Sequence, residues 1–359
     1  MEETVSAPRR LHRVTIKDLA RDLGMSVATV ARAFHADAAI AEATRQAVLG
    51  RASQLGYQPN ALARSMITRR TRIVGVVLSD LANPFYSAAL APLTAALQGA
   101  GYNVMLVMAE AGGEMGEALR LLLSYQPECA VILATTLSSD AAAACREAGT
   151  PLIFLNRHPG AAGLEPGSLA AVCDNSGGAA AVAGHLAAHG ARRLGLISGR
   201  PDASTNAERC QGFLDRCAAL GLPPPLVEAA GEFTYAAGQQ AARRLLARPD
   251  RPEALFCTAD ILALGAMDVA RHELGLAVPG DIAIAGFDDI PIAAWPSHDL
   301  TSLRQPVERM VAAALDWITL AGRGEAPSCR LLRLPGELVV RGSTVPLQEA
   351  RKETACSLS

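Results

Sequence analysis

Residues 14–35 read VTIKDLARDLGMSVATVARAFH, and this stretch decides how the chain begins. Thr15 stands three residues before Asp18, a hydroxyl N-cap and a carboxylate in a variant of the capping box, and Ile16, Leu19, Ala20 and Leu23 follow at helical spacing. A short helix is therefore predicted from Thr15 onward, stopped at Gly24. Met25 plugs the turn, and Ser26 is placed to cap a second helix that offers Val27, Val30, Ala31 and Phe34 to a core. Two short helices joined by a glycine-containing turn follow the helix-turn-helix plan. In that plan the second helix enters the major groove N-terminus first, so Val27, Ala28 and Arg32 reach base edges. Ser26 and Thr29 face phosphates, where hydroxyls and helix-end amides bind anions. A third helix from Glu42 to Leu55, ended by Gly56, completes the small core. The same spacing also suits a plain three-helix adaptor.

Working outward, charge separates this stretch from the rest. The chain has a formal net charge of −2, yet residues 1–72 carry 12 basic and 6 acidic side chains and the remainder 21 basic and 29 acidic. A basic module on an acidic body fits a polyanionic partner for the N-terminal part alone. Arg69-Arg70-Thr71-Arg72 forms a basic joint before the first strongly apolar strand, Ile73 to Leu78.

Beyond that joint, short apolar runs alternate with helical stretches: 73–78, 104–107, 130–133, 152–155, 194–197, 255–257 and 282–285. Near-continuous apolar strands separated by helices indicate parallel sheets covered on both faces. About 270 residues exceed one ordinary sheet, so the expected fold class is α/β: an all-α N-terminal module, then two doubly wound lobes with a cleft between them. Ligands of such sheets bind at the carboxyl ends of the strands. Polar residues do follow the strands here: Ser79-Asp80, Asn156-Arg157, Thr258-Ala259-Asp260 and Asp288-Asp289. Each of them also suits a helix N-cap.

The 359 residues, half of them apolar and few aromatic, predict two or three folding units. No apolar run reaches the roughly 18 residues needed to span a bilayer, and MEETVSAPRRLHR lacks the apolar core of a signal peptide. A cytoplasmic protein with no membrane partner is expected. The eight cysteines include no C-x-x-C pair and no zinc spacing, so they read as reduced, mostly buried thiols. His185 and His189 are four apart without a third ligand, and no metal or cofactor is expected. No Walker A sequence, G-x-S-x-G elbow or H-E-x-x-H motif is present, and Gly195 and Gly199 do not make a G-x-G-x-x-G fingerprint. An enzyme is therefore not expected.

The opening stretch, together with TRQAVLGRASQLGYQPNALARSM at 44–66, resembles the headpiece and hinge of the lac-repressor (LacI/GalR) family. DNSGGAAAVAGHLAAHGARRLGLISG at 174–199, NAERCQGF at 206–213, the run 259–289 and LTSLRQP at 300–306 extend the resemblance to about Arg341, over an effector domain similar to periplasmic sugar-binding proteins. The resemblance implies a DNA-binding transcriptional regulator, a repressor in the first instance, whose operator affinity a small molecule controls. A solute-binding receptor without a DNA role is the alternative. The implied organisation is a flexible N-terminus (1–10), a headpiece (11–59), a hinge helix and linker (60–72), a two-lobed effector and dimerisation domain (73–345) and a flexible tail (346–359).

On the DNA side the resemblance implies Val27 and Ala28 as the specificity positions, Arg32 as a further contact, and Thr15, Ser26, Thr29, His35, Asn60 and Arg64 around them. Asn60 to Met66 would be a hinge helix that folds on the minor groove, with Met66 where the family usually has an intercalating Leu; an unbranched apolar side chain can still wedge a base step. Ala31, His35 and Ala41 stand where Ser, Asn and Ser are commoner. In the cleft it implies Arg209 and Asp260 as the chief polar clamps on the effector, completed by Asp80, Phe85, Asn156, Arg157, Thr205, Phe233 and Asp288. Arginine plus carboxylates suits a sugar, a sugar acid or a similar polar metabolite. Ala259 replaces the Asn common before that Asp, which points to a ligand different from the usual sugars. The partners implied are a palindromic double-stranded operator, the effector and a second copy of the chain, with a tetramer as the larger alternative.

Overall fold

The chain, seen in a computed structural model, divides into two compact units, residues 1–71 and 72–359. The structure describes residues 14–34, 38–58, 70–79, 81–109, 115–133, 139–159, 163–164, 166–325 and 330–345. His35, Asn60, Arg64, Met66 and Asp80 lie outside these, as do the two termini and the proposed hinge.

The first unit holds helices α1 (Ile16–Asp22), α2 (Val27–Ala33) and α3 (Glu42–Gln54). Thr15 caps α1 as predicted. Its Oγ1 accepts from the Asp18 amide at 3.3 Å while the Asp18 carboxylate accepts from the Thr15 amide at 3.0 Å. Gly24 ends the helix at φ +64°, where a side chain would be strained. Ser26 Oγ accepts from the Thr29 amide at 3.1 Å and starts α2. Leu19, Ala20, Val30, Ala33, Val48 and Ala52 form the core, with Met25 and Phe34 packed against it. Ala33 takes the inward position, and Val27 stays 42% exposed. The N-cap Ala41 makes no side-chain hydrogen bond. Instead Arg45 ties α3 to the end of α2 by donating to the carbonyls of Ala33 and Ala38, at 3.1 and 3.0 Å.

The second unit contains two sheets of parallel strands. The first sheet has the order β11 (Arg330–Leu334), β5 (Leu169–Cys173), β4 (Leu152–Leu155), β3 (Cys129–Ile132), β1 (Ile73–Leu78), β2 (Asn103–Met108). The second has the order β12 (Glu337–Val339), β10 (Thr301–Arg304), β9 (Ala283–Asp288), β8 (Ala254–Cys257), β6 (Leu194–Ser198), β7 (Leu226–Ala229), antiparallel only between β10 and β12. Among the described residues eight α-helices connect them: α4 (Pro84–Gly99), α5 (Met115–Leu123), α6 (Ser139–Glu147), α7 (Asn175–Ala188), α8 (Ser204–Ala219), α9 (Tyr235–Leu246), α10 (Asp260–Asp268) and α11 (Val307–Gly322).

The central strands are buried along their whole length, as the continuous apolar runs require. The chain passes between the lobes three times: after β5, after β10 and after β11. Close packing of α7 on α8 depends on Gly212, where a Cβ would lie 2.2 Å from the Ser176 carbonyl oxygen. Cys129, Cys145, Cys173, Cys217 and Cys257 are buried free thiols, and burial pushes Cys145 up to about 11, so they behave as small apolar residues. No helix among the described residues is long and apolar enough to cross a membrane.

Candidate functional site

The first candidate surface is the outer face of α2. Val30 and Ala33 are 0% and 1% exposed, and they turn the opposite face outward with Val27, Ala28 and Arg32 all exposed. Arg32 makes one long intrahelical contact, to the Ala28 carbonyl at 3.4 Å, which leaves its guanidinium available. Ser26 and Thr29 share a hydroxyl–hydroxyl contact of 2.9 Å at the helix start. Thr15 is exposed at the start of α1. Arg51 and Asp22 brace α3 against α1 through two contacts of 2.5 and 2.9 Å. The candidate face is thus exposed side chains on a braced frame.

The second is a narrow cleft at the carboxyl ends of the central strands of both sheets. The structure brings Phe85, Asn156, Arg157, Thr205, Arg209, Phe233 and Asp288 to its walls, together with Asn83, Tyr86 and Ala259. Arg209, on α8, is 2% exposed and held on every side. Its Nε donates to Asn175 Oδ1 at 2.9 Å and its Nη1 to the Thr258 carbonyl at 2.7 Å, with Asp288 Oδ1 at 3.0 Å. The Phe287 ring lies 3.7 Å beneath the guanidinium. Asp288 also accepts from Gln305 at 2.7 Å. Burial raises the Asp288 carboxyl above the ordinary carboxylate range, against the opposing pull of Arg209. Asp288 and Asp289 have φ of 120° and 53°, a strained turn of the sort that collects at binding sites.

Arg157 follows β4 and is 6% exposed, its guanidinium 5.4 Å from the Phe233 ring centroid. Burial lowers its pKa, and the charges of Arg209 and Arg200 act the same way. Asn156 takes φ +72°, an arrangement Asn tolerates better than most residues, and its Oδ1 is buried without a partner among the described residues. Phe233 reaches the cleft because position 199 is glycine; a Cβ there would meet the ring at 2.3 Å.

Asp260 is placed differently from the sequence expectation. It is fully buried, its carboxylate accepting from the Ile290 amide at 2.9 Å and from Ser302 Oγ at 2.6 Å, and it does not line the cleft. Burial, and then the charge of Asp288, raise its pKa. The residue pins the start of α10 to the turn after β9, and Asp288 is the carboxylate that lines the cleft.

Sequence reasoning missed the network behind the cleft. Glu208 accepts from His158 Nε2 and Asn175 Nδ2, both at 2.9 Å, and pairs with Arg333 at 2.7 Å. Asn175, Gln305 and Arg333 belong to the three passages between lobes, so each passage is wired to the Arg209–Asp288 pair or to its neighbour Glu208. Asn175, directly after the strand-end Asp174, carried the one readable signal. Burial alone would raise Glu208, but bonds from His158, Arg333 and Asn175 overcome this and hold it at about 2. A depressed carboxyl stabilises the fold above its ordinary value of about 4.5 and loses that contribution as pH falls toward 2. Glu208→Gln is therefore expected to lower Tm by about 3–6 °C at pH 7, from hydrogen bonds to a charged group worth about 1.5–3 kcal/mol. The deficit should narrow in calorimetry below about pH 4.5; a gap independent of pH would contradict this role.

No group of three or more histidine, cysteine, aspartate or glutamate side chains arranged to hold a metal occurs among the described residues.

Two family models match the chain: bacterial regulatory proteins of the lacI family over residues 15–60, and the periplasmic binding protein-like domain over residues 183–344. The HTH-type transcriptional regulator CelR of Thermobifida fusca is 31% identical over 344 residues, 93% of this chain and 99% of that protein. The HTH-type transcriptional repressor PurR of Photobacterium profundum is 28% identical over 340 residues, 93% and 99% of the two chains. Among solved structures, the lac repressor dimer bound to operator and the anti-inducer ONPF superposes with a TM-score of 0.81 at 26% identity, covering 92% of this chain and 99% of that one. A complex of the regulator CelR with cellobiose superposes with a TM-score of 0.68 at 30% identity, covering 92% and 100%. The headpiece match separates the chain from solute receptors that share only the lobes. With an exposed α2 face in one unit and a polar interlobe cleft in the other, this chain belongs to the lacI family of bacterial DNA-binding transcriptional regulators.

Proposed function

We propose that this protein is a repressor that binds a palindromic operator as a homodimer and changes its operator affinity when a small polar metabolite occupies the cleft. The observation that carries this reading is the joining, in one chain, of an exposed α2 face built on Val27, Ala28 and Arg32 to a cleft whose arginine and carboxylate are fixed in place. Similarity to an operator-bound lac repressor dimer and to a CelR–cellobiose complex supports both halves.

Each α2 inserts into a major groove, Ser26 and Thr29 against phosphates, and residues 60–66 fold against the minor groove with Met66 as the wedge. Arg209 and Asp288 satisfy ligand hydroxyls, one as donor and the other as acceptor. Ligand contacts that differ between open and closed lobes shift the three passages through Asn175, Gln305 and Arg333, and that shift changes the dimer's hold on DNA. The protein acts in the cytoplasm and carries out no catalysis.

The test is titration of the duplex upstream of its own coding sequence at rising salt. Affinity should fall linearly on logarithmic axes, as counterions are released, and should exceed that for random DNA by at least about 10³-fold. Equal affinity for both duplexes at every salt would exclude sequence-specific regulation.

A further inference from the structure

We propose that the cleft selects an anion: the effector is a small polyhydroxyl compound carrying one carboxylate, received on the guanidinium of Arg157. This rests on the reading that the cleft is an effector site, and it narrows the ligand's chemistry.

Arg157 is the one charged cleft residue whose guanidinium the protein leaves unsatisfied. Its side chain is 6% exposed, and Nε and Nη1 are buried with no hydrogen-bond partner among the described residues. No described carboxylate lies within 4.0 Å of it. Asp288, the acid of the cleft, is already held by Arg209 at 3.0 Å and Gln305 at 2.7 Å. Asp202, the acid nearby, is engaged by Arg200 through contacts of 3.0 and 2.6 Å. Among the described cleft residues two buried guanidinium groups thus face one committed carboxylate, and the charges of Arg209 and Arg200 work against that of Arg157 while Tyr86 and Asp202 work for it.

A buried charge without a counter-charge is costly, and a neutral sugar would supply hydrogen bonds without cancelling it. A carboxylate cancels the charge and matches the side-on fork, since Nε–H and Nη2–H are parallel donors spaced for its two oxygens, and Nη1–H remains for a ligand hydroxyl. The Phe233 ring, 5.4 Å away, covers the guanidinium and leaves its edge for the ligand. Asn156 Oδ1, buried and unpartnered nearby, supplies an acceptor for a hydroxyl. Hydroxyls therefore belong toward Asn156 and the Arg209–Asp288 pair, and the acid toward Arg157.

The experiment uses the full-length chain and matched probes: D-glucuronate with D-glucose, D-galacturonate with D-galactose, D-gluconate with sorbitol, and glucose 6-phosphate. Thermal shift and calorimetry measure each. At least one carboxylate should bind ten or more times tighter than its neutral counterpart, and Arg157→Gln should abolish that preference. Without ligand, Arg157→Gln should melt no lower than the wild type, because it removes an unpaired buried charge.

Neutral compounds binding as tightly as their acids, or an acid preference that survives Arg157→Gln, would overturn the proposal while leaving the cleft as an effector site. Binding of glucose 6-phosphate alone among the anions would overturn the carboxylate assignment. Arg157→Gln melting lower than wild type would show that the guanidinium is paired within the protein and would also overturn it. If no probe of either kind bound, both this proposal and the effector reading would fall.

Discussion

Arg209→Lys is expected to weaken effector binding by about 10²-fold or more while leaving operator affinity within a few-fold of wild type. Loss of one member of a buried, hydrogen-bonded charge pair costs about 2–5 kcal/mol in binding, and Arg209 holds three partners at once: Asn175, Thr258 and Asp288. Lysine keeps a positive charge beside Asp288, so the cleft does not collapse around an unpaired carboxylate. It cannot reproduce the planar fork, nor the stacking on Phe287 at 3.7 Å. Arg209→Ala should lose the effector as well, with a drop in thermal stability that lysine avoids. Isothermal titration with the effector and anisotropy with the operator separate the two effects. Full effector affinity in Arg209→Lys would remove Arg209 from the site.

On the DNA side, Arg32→Ala should cost about 1–3 kcal/mol of operator affinity, or about 5- to 150-fold, and should relax discrimination at one base position. The side chain is exposed and its one contact, at 3.4 Å, is weak. Thermal stability should therefore stay within about 0.5 kcal/mol of wild type. Loss of binding cannot then be assigned to unfolding. Exchanging Val27 and Ala28 for other small or polar residues should move the preferred operator bases without changing stability, which selection from a randomised half-site would read. Unchanged affinity and base preference in Arg32→Ala would mean that α2 does not face the bases.

Much of this architecture is legible in the sequence because its cues are local. The capping pair Thr15–Asp18, the stop at Gly24 and the Ser26 cap act within four residues, and the structure repeats each. The central strands announce themselves as unbroken apolar runs. Strand β5, LAAVC, is just as buried, yet its alanines serve helix and strand alike. Strands β7 and β11 are half-exposed edges whose charged residues mask them.

The cleft shows the same division. Residues directly after strands, such as Arg157 and Asp288, can be anticipated from the doubly wound plan. Asp260 occupies an equally suggestive position, but its carboxylate turns to Ile290 and Ser302. Only packing distinguishes it from Asp288. Gln305 and Arg333 enter where the chain passes between lobes and Glu208 from α8, all three meeting partners distant in sequence, and no local pattern marks them.

The account's central claim is that cleft and operator are coupled sites on one molecule, and reciprocal titration tests it most directly. Operator affinity is measured with and without saturating effector, and effector affinity with and without operator. Coupling requires the two ratios to agree, on the order of 5- to 150-fold. The account predicts equal ratios different from one, and a ratio of one in Arg209→Lys at the effector concentration that saturates the wild type. An effector that binds the wild-type cleft tightly yet leaves operator affinity unchanged would contradict it.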